Sequence, residues 1–238
     1  MPRYLPNTRF SDCWSSVGEV TFFHIDGVCY WKNRAHPEYP DTPGQRANAD
    51  IHKRALEAWR AVPDEVKEQW NSCAVGVPSH RPPYDGTSGI TGHNLFVSAY
   101  HGYAQLGDEH VPVPAVWRQF PVFSMELVDA TTVDGTDLRI RLRVHLPDCS
   151  DPTRYRLLTK LHLAAPGRGR DSGQLRNFLA EGNCTGEDSI VMVTIPDYRS
   201  VWSLDLQEYQ MHCRYLLIDT QSGYRCIHHS KSFLLQIP

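Results

Sequence analysis

Histidine and cysteine are the residues of this sequence best suited to metal binding, but their spacing does not favour a metal site. The chain has 12 histidines and 7 cysteines, with no Cys-x-x-Cys pair and no His-Glu-x-x-His motif. The neighbours His228 and His229 would point to opposite sides of a strand. We therefore expect no metal and no cofactor. The scattered cysteines indicate reduced, mostly buried thiols.

The sequence Gly-Arg-Gly-Arg-Asp-Ser-Gly at residues 167–173 has the glycines of a phosphate-binding loop. It lacks the Walker lysine and does not follow the strand–loop–helix order that aims amide groups at phosphate. We interpret it as a flexible loop between strands, whose Arg168 and Arg170 could touch an acidic partner. No Gly-x-Ser-x-Gly motif is present, and Cys73 lies on an apolar helix face. We expect no catalytic residues; the alternative is an active site assembled from distant residues.

Charge and length limit the possible partners. The chain of 238 residues corresponds to one large or two small domains. Its 24 Lys and Arg against 27 Asp and Glu give no electrostatic reason to expect nucleic acid. No apolar run is long enough to predict a membrane span. The first six residues lack the apolar core of a signal peptide, so we expect a cytoplasmic protein.

Residues 19–31 predict a β-hairpin, with strands at 20–25 and 28–31 joined by an Asp26-Gly27 turn. A two-stranded hairpin is marginal alone, so it must pack on something. Residues 34–44 contain three prolines and predict an extended connector. The aromatic side chains available for packing are Phe22, Phe23, Tyr30 and Trp31.

Apolar residues at helical spacing predict three helices, at residues 45–60, 64–74 and 92–106. Pro63 lies between the first two helices, where the second begins, and Gly107 ends the third helix. The sequence His-Val-Pro-Val-Pro at 110–114 predicts a stiff extended linker. We therefore predict one domain over residues 1–110, made of the hairpin and three helices.

The apolar period changes from 3.6 to 2 after this linker, and residues 138–146 alternate without error. With the frequent turn signals, the pattern predicts an immunoglobulin- or fibronectin-like β-sandwich over residues 115–238. The predicted fold is therefore α+β and multidomain. Besides 138–146, strands are expected at residues 122–128, 155–164, 189–195, 208–218 and 224–237, the last two joined by a turn at 219–223.

Residues 56–74 resemble the middle of an HMG box, with Trp59, a short turn, a Glu/Lys-bearing helix start and Trp70. This resemblance implies DNA binding through the helices. However, residues 1–112 carry 10 Lys and Arg against 13 Asp and Glu, which weakens the case for phosphate neutralisation. The alternative is that two helices arranged in a V need two tryptophans to pack their joint.

A second resemblance covers residues 18–104. It is carried by the hairpin, Thr42-Pro-Gly-Gln45, Trp59-x-x-Val-Pro, the Lys67-x-x-Trp70 pair and Ser88-Gly-x-x-Gly-x-Asn94-x-Phe96. In this order the motifs resemble a group of uncharacterised bacterial proteins found on phages and mobile elements. The resemblance implies a structural or virion-associated role, and it carries no catalytic residues.

These observations favour a non-enzymatic structural or protein-interaction component, which could assemble into a phage-like particle with protein partners or further copies. Aromatic side chains are typical anchors of interfaces. The N-terminal half of the chain contains more aromatic side chains than a three-helix core of its size buries. The alternatives are a DNA-binding module and a carbohydrate- or surface-binding adhesin with its site in loops 167–173 and 182–186. The predicted interaction residues are Phe22, Phe23, Tyr30, Trp31, Trp59, Trp70, Arg168 and Arg170.

Overall fold

The computed structural model describes residues 15–25, 28–34, 42–77 and 89–237. By contacts the chain divides into two compact units, residues 1–46 and 47–238. The predicted hairpin and the three predicted helices are therefore not confirmed as one domain, because the helices fall mainly in the unit that contains the sandwich. The boundary at residues 111–114 stays a prediction.

The first unit contains a three-stranded antiparallel sheet with strands β1 Ser15–Val17, β2 Val20–Ile25 and β3 Val28–Asn33, in that order. The β2–β3 pairing agrees with the predicted hairpin, whose Asp26-Gly27 turn lies outside the described residues. β1 was not predicted. It pairs with β2 and gives the hairpin a third strand, which a small sheet needs for stability.

Helix α1 spans Pro43–Ala61 and begins with a capping box. The Gln45 backbone N–H donates to Thr42 Oγ1 at 3.3 Å, and the Thr42 N–H donates to Gln45 Oε1 at 3.1 Å. Pro43 occupies the first helical position, where its missing N–H costs nothing. The extended connector predicted up to residue 44 is therefore wrong at its end, because Pro43 and Gly44 are helical.

Helices α2 Asp64–Ala74 and α3 Gly92–Leu106 have the predicted bounds. The side chain of Thr91 accepts a hydrogen bond from the Asn94 N–H at the start of α3, and Gly107 ends it in the left-handed conformation. Trp70, Leu95 and Phe96 form the centre of the helical core. In the described part of the chain, no helix combines the length and apolarity that crossing a membrane requires.

Seven strands in the second unit form two antiparallel sheets, with orders β10-β9-β6-β7 and β4-β5-β8. Apolar side chains of the two inner faces, such as Leu142 and Leu217, belong to one core. This architecture is an immunoglobulin-like β-sandwich. The strands are β4 Ser124–Val133, β5 Asp137–His145, β6 Tyr155–Ala164, β7 Arg176–Leu179, β8 Asp188–Ile195, β9 Glu208–Asp219 and β10 His229–Gln236.

Several details of the sandwich differ from the sequence prediction. The first strand spans Ser124–Val133 and not residues 122–128. β7 and the five-residue helix α4 Tyr198–Trp202 were not predicted. The last strand begins at His229 and not at residue 224. Tyr224 instead turns into the helical core, where it is 2% exposed and donates its hydroxyl to the Ala115 carbonyl at 2.6 Å.

Candidate functional site

The aromatic side chains of the first unit divide between the two faces of its sheet. Phe22 lies opposite Trp31, and Phe23 lies opposite Tyr30. Because consecutive side chains on a strand point to opposite faces, these two pairs cannot form one continuous surface. The Phe23 and Tyr30 rings stack at 6.0 Å, and Lys32 Nζ lies 5.6 Å from the Phe23 ring centre. All four aromatic residues are half-buried.

The two tryptophans of the helices belong to the helical core. Trp70 is fully buried and meets Phe96 edge-on at 5.4 Å. Trp59 is half-buried and packs on Phe96 at 5.2 Å and on His93 at 5.4 Å. Naming Trp70 as an interaction residue is therefore corrected, since a side chain with no exposed surface cannot contact a partner.

The loop at residues 165–171 carries the predicted residues Arg168 and Arg170, and main-chain hydrogen bonds anchor it. The carbonyl of Arg168 accepts from His212 Nε2 at 2.8 Å, and the Asp171 N–H donates to His162 Nδ1 at 3.2 Å. Arg170 Nη1 also donates to Ser230 Oγ at 3.3 Å. These bonds hold the loop against the outer face of the four-stranded sheet.

Three cross-strand pairs of β6 and β9 follow one another on that outer face. His162 and His212 are buried beneath the anchored loop, with ring centres 5.8 Å apart. Leu158 and Leu216 are buried at the other end, where Leu106 of α3 packs against them. Lys160 and Arg214 form the middle pair and remain partly exposed.

Further basic groups surround this middle pair, and we call Lys160, Arg214, Arg225 and His228 the basic cluster. Arg225 donates to Gln105 Oε1 at 3.3 Å and to Ser98 Oγ at 3.4 Å, so α3 positions its guanidinium. Within the described ranges, no carboxylate forms an ion pair with any member of the cluster.

The pKa values of the cluster reflect its excess of positive charge. Burial, together with the charges of Arg214 and Arg225, lowers the pKa of Lys160. Loss of contact with water, followed by the charges of Lys160, Arg214 and Arg225, lowers the pKa of His228 to about 4. His228 is therefore neutral near pH 7.

The basic surface continues onto the helices. His101 of α3 lies beside His52 of α1, with Nε2 and Nδ1 3.5 Å apart. Burial, then the charges of Arg225 and His52, lowers the pKa of His101 to about 4. Arg225 thus connects the sheet with the helices. The sequence contains no signal for Lys160, Arg214 or Arg225, because none of them lies in a recognisable motif.

The chemistry available on this face is the binding of negative charge. Its groups are cations, neutral imidazoles and the hydroxyl of Ser230. The thiol of Cys226 lies nearby, but burial raises its pKa to about 11, so it is a poor nucleophile at neutral pH. Among the described residues, no group of three His, Cys, Asp or Glu side chains is arranged to hold a metal ion.

No family profile matches the chain, and no curated protein matches it. Among solved structures, it is similar to AggA, the major subunit of aggregative adherence fimbriae type I from Escherichia coli. The identity is 10% and the TM-score 0.30, over 51% of this chain and all of AggA.

It is also similar to ACE19, the collagen-binding subdomain of the Enterococcus faecalis surface protein ACE. The identity is 8% and the TM-score 0.20, over 51% of this chain and 99% of ACE19. For β-glucosidase 3B from Thermotoga neapolitana the identity is 16% and the TM-score 0.22, over 58% of this chain and 20% of the enzyme. With TM-scores this low, the assignment of an immunoglobulin-like sandwich rests on the strand order and the shared core described above.

Proposed function

We propose that this chain is a non-enzymatic structural component that binds a protein through the sheet of its first unit. The observation that carries the proposal is the placement of aromatic pairs on both faces of β2 and β3, with all four side chains half-buried. We place the protein in a phage-like particle assembled in the cytoplasm, which agrees with the resemblance of residues 18–104 to phage-associated proteins.

A sheet of three short strands needs an apolar face packed against another surface. Here one face carries Phe22 and Trp31 and the other carries Phe23 and Tyr30, so each face presents an aromatic pair. Large aromatic side chains also supply much of the binding energy of protein interfaces.

Mass photometry and light scattering of the full chain test this proposal, with binding measured to proteins encoded beside it. The double variant Phe23→Ser, Tyr30→Ser should lose self-association or partner binding by at least about tenfold, since two anchors are removed. Leu234→Ser is the matched control, because Leu234 is 54% exposed and lies in the second unit. Circular dichroism checks that both variants fold.

Two results would count against the proposal. One is a native chain that stays monomeric at every concentration and binds none of the neighbouring gene products. The other is a double variant that associates as strongly as the Leu234→Ser control. Either result would mean that the aromatic pairs serve only to stabilise the sheet.

A further inference from the structure

We propose that the basic cluster, together with Arg170 and Ser230, is a binding site for a single phosphate or sulfate ester group. The site lies on the outer face of the four-stranded sheet. It is independent of the aromatic pairs in the first unit, and neither fold nor stability explains it. The site has unbalanced charge, an uncovered middle pair, and donors that converge from several elements.

The strand register brings like charges together on this face. Lys160 and Arg214 lie directly opposite each other on neighbouring strands, an arrangement in which like charges destabilise a sheet. Arg225 adds a third positive charge close enough to lower the pKa of Lys160. In the described part of the chain no carboxylate pairs with them, so the repulsion is unrelieved. A bound anion would remove it.

Of the three cross-strand pairs, the middle one is accessible. Along the two strands, the His162–His212 pair is covered by the loop at 165–171, and the Leu158–Leu216 pair is covered by Leu106. The Lys160–Arg214 pair between them is the one left partly exposed. The anchored loop and the end of α3 therefore form two walls. The opening between them is one cross-strand pair wide, which suits one charged group and not a long polymer.

Hydrogen-bond donors converge on this opening from several elements. Lys160 reaches the opening from β6 and Arg214 from β9, while Arg225 approaches from the α3 side. Arg170 and Ser230, already bonded to each other, lie beside Arg214, because Ser230 is its partner on β10. Guanidinium groups favour oxyanions through paired hydrogen bonds. A phosphate or sulfate ester offers three oxygens, which matches donors from several directions better than the two oxygens of a carboxylate.

The test uses the full chain with inorganic phosphate, phenyl phosphate and phenyl sulfate as probes, and the binding constant is read from NMR shifts of the His228 ring. We expect saturable binding that weakens by at least about tenfold in Lys160→Gln and in Arg214→Gln, because each loses a charged hydrogen bond. Arg143→Gln is the matched control, since Arg143 is a half-exposed strand arginine on the other sheet. It should bind like the native chain.

Thermal unfolding gives a second readout that does not depend on histidine signals. Phosphate should raise the Tm of the native chain and of Arg143→Gln by mass action, but not that of the two cluster variants. Without ligand, Lys160→Gln should unfold at or above the native Tm, because it removes the repulsion from Arg214. Arg214→Lys keeps the charge and should retain part of the binding.

Three outcomes would overturn the proposal: no saturation by any of the three probes, equal binding by native and cluster variants, or binding of an acidic peptide or duplex DNA without binding of the small esters. A preference between phenyl phosphate and phenyl sulfate would assign the ester. Because the hairpin double variant should bind phosphate normally, failure here is distinguishable from failure of the proposed function.

Discussion

Gly102 of α3 and Gly223 of the turn after β9 lie so close together that neither position has room for a side chain. A Cβ atom on Gly102 would lie 1.8 Å from the carbonyl oxygen of Gly223, and one on Gly223 would lie 2.5 Å from the carbonyl oxygen of Ala99. Beside this contact, the Tyr103 hydroxyl donates to the Gln221 carbonyl at 2.5 Å. The sandwich is therefore joined to α3 backbone against backbone.

Replacing Gly102 by alanine should destabilise the second unit. The new methyl group would meet main-chain atoms, which cannot rotate away as a side chain can, so we expect a loss of about 3 kcal/mol in the free energy of unfolding. Urea denaturation measures the change. Gly186→Ala is the control, because a Cβ at residue 186 meets nothing within 4 Å. Equal midpoints for the two variants would contradict the prediction.

Asp219 should be the most sensitive carboxylate of the sandwich. It accepts from Arg154 Nη2 at 2.5 Å and from Ser222 Oγ at 2.8 Å, and the side chains of Asp219 and Arg154 are 6% and 11% exposed. Asp219→Asn leaves a buried guanidinium without a counter-charge, which costs about 3–5 kcal/mol in the free energy of unfolding.

Chemical denaturation of Asp219→Asn measures this loss. Asp205→Asn is a matched control because it removes the charge from another Arg–Asp pair, that of Arg199 with Asp205, in which Asp205 is 77% exposed. We expect no measurable change there. If both variants unfold at the same denaturant concentration, burial of the Arg154–Asp219 pair does not strengthen it.

The thiol of Cys213 should resist alkylation in the folded protein. Burial raises its pKa to about 12, so almost none of it is thiolate at mildly alkaline pH. Cys184, whose pKa is raised to about 11 mainly by burial, should behave alike. Peptide mapping after iodoacetamide treatment should find Cys149, which is half-buried, modified before Cys213 and Cys184. Modification of Cys213 at the rate of Cys149 would refute this ordering.

Acid should weaken the fold partly through His101. Its pKa is about 4 in the folded chain, lowered by burial and then by Arg225 and His52, against 6.5 for an unperturbed histidine. Between these values the unfolded chain binds more protons, so the free energy of unfolding falls as the pH falls. His101→Gln should reduce that pH dependence in urea titrations. An unchanged slope, or an NMR titration of the His101 ring near pH 6.5, would contradict this.

The sequence predicts the bounds of a helix or strand correctly where the apolar pattern is long and a turn or capping residue marks its end. Asp64–Ala74, Gly92–Leu106 and Tyr155–Ala164 have the bounds predicted from the sequence. The start of α1 differs from the predicted residue 45 because Thr42-Pro43-x-Gln45 forms a capping box. β7 and α4 have four and five residues, too few for a period to show.

The basic cluster was not predictable, because it depends on strand register. Lys160 and Arg214 each look like an ordinary polar residue on the wet face of a strand, and only the β6–β9 pairing places them opposite each other. The aromatic residues of this region exceed what a three-helix core buries, which is why the sequence predicts an interaction role for Trp70. That core is larger, since Trp117 and Tyr224 from outside the helices complete it.

Main-chain hydrogen bonds fix the position of the loop at residues 165–171 and do not depend on most of its side chains. His212 and His162 hold it through the Arg168 carbonyl and the Asp171 N–H, atoms that nearly every amino acid supplies. Residues 166, 168 and 169 can therefore be exchanged while the wall beside Lys160 and Arg214 stays in place, whereas Gly167 has a φ of +80° and the Arg170 side chain bonds Ser230. A designer could diversify these three exposed positions to change which anion is selected, while keeping the mutations away from the buried core that stabilises the sandwich.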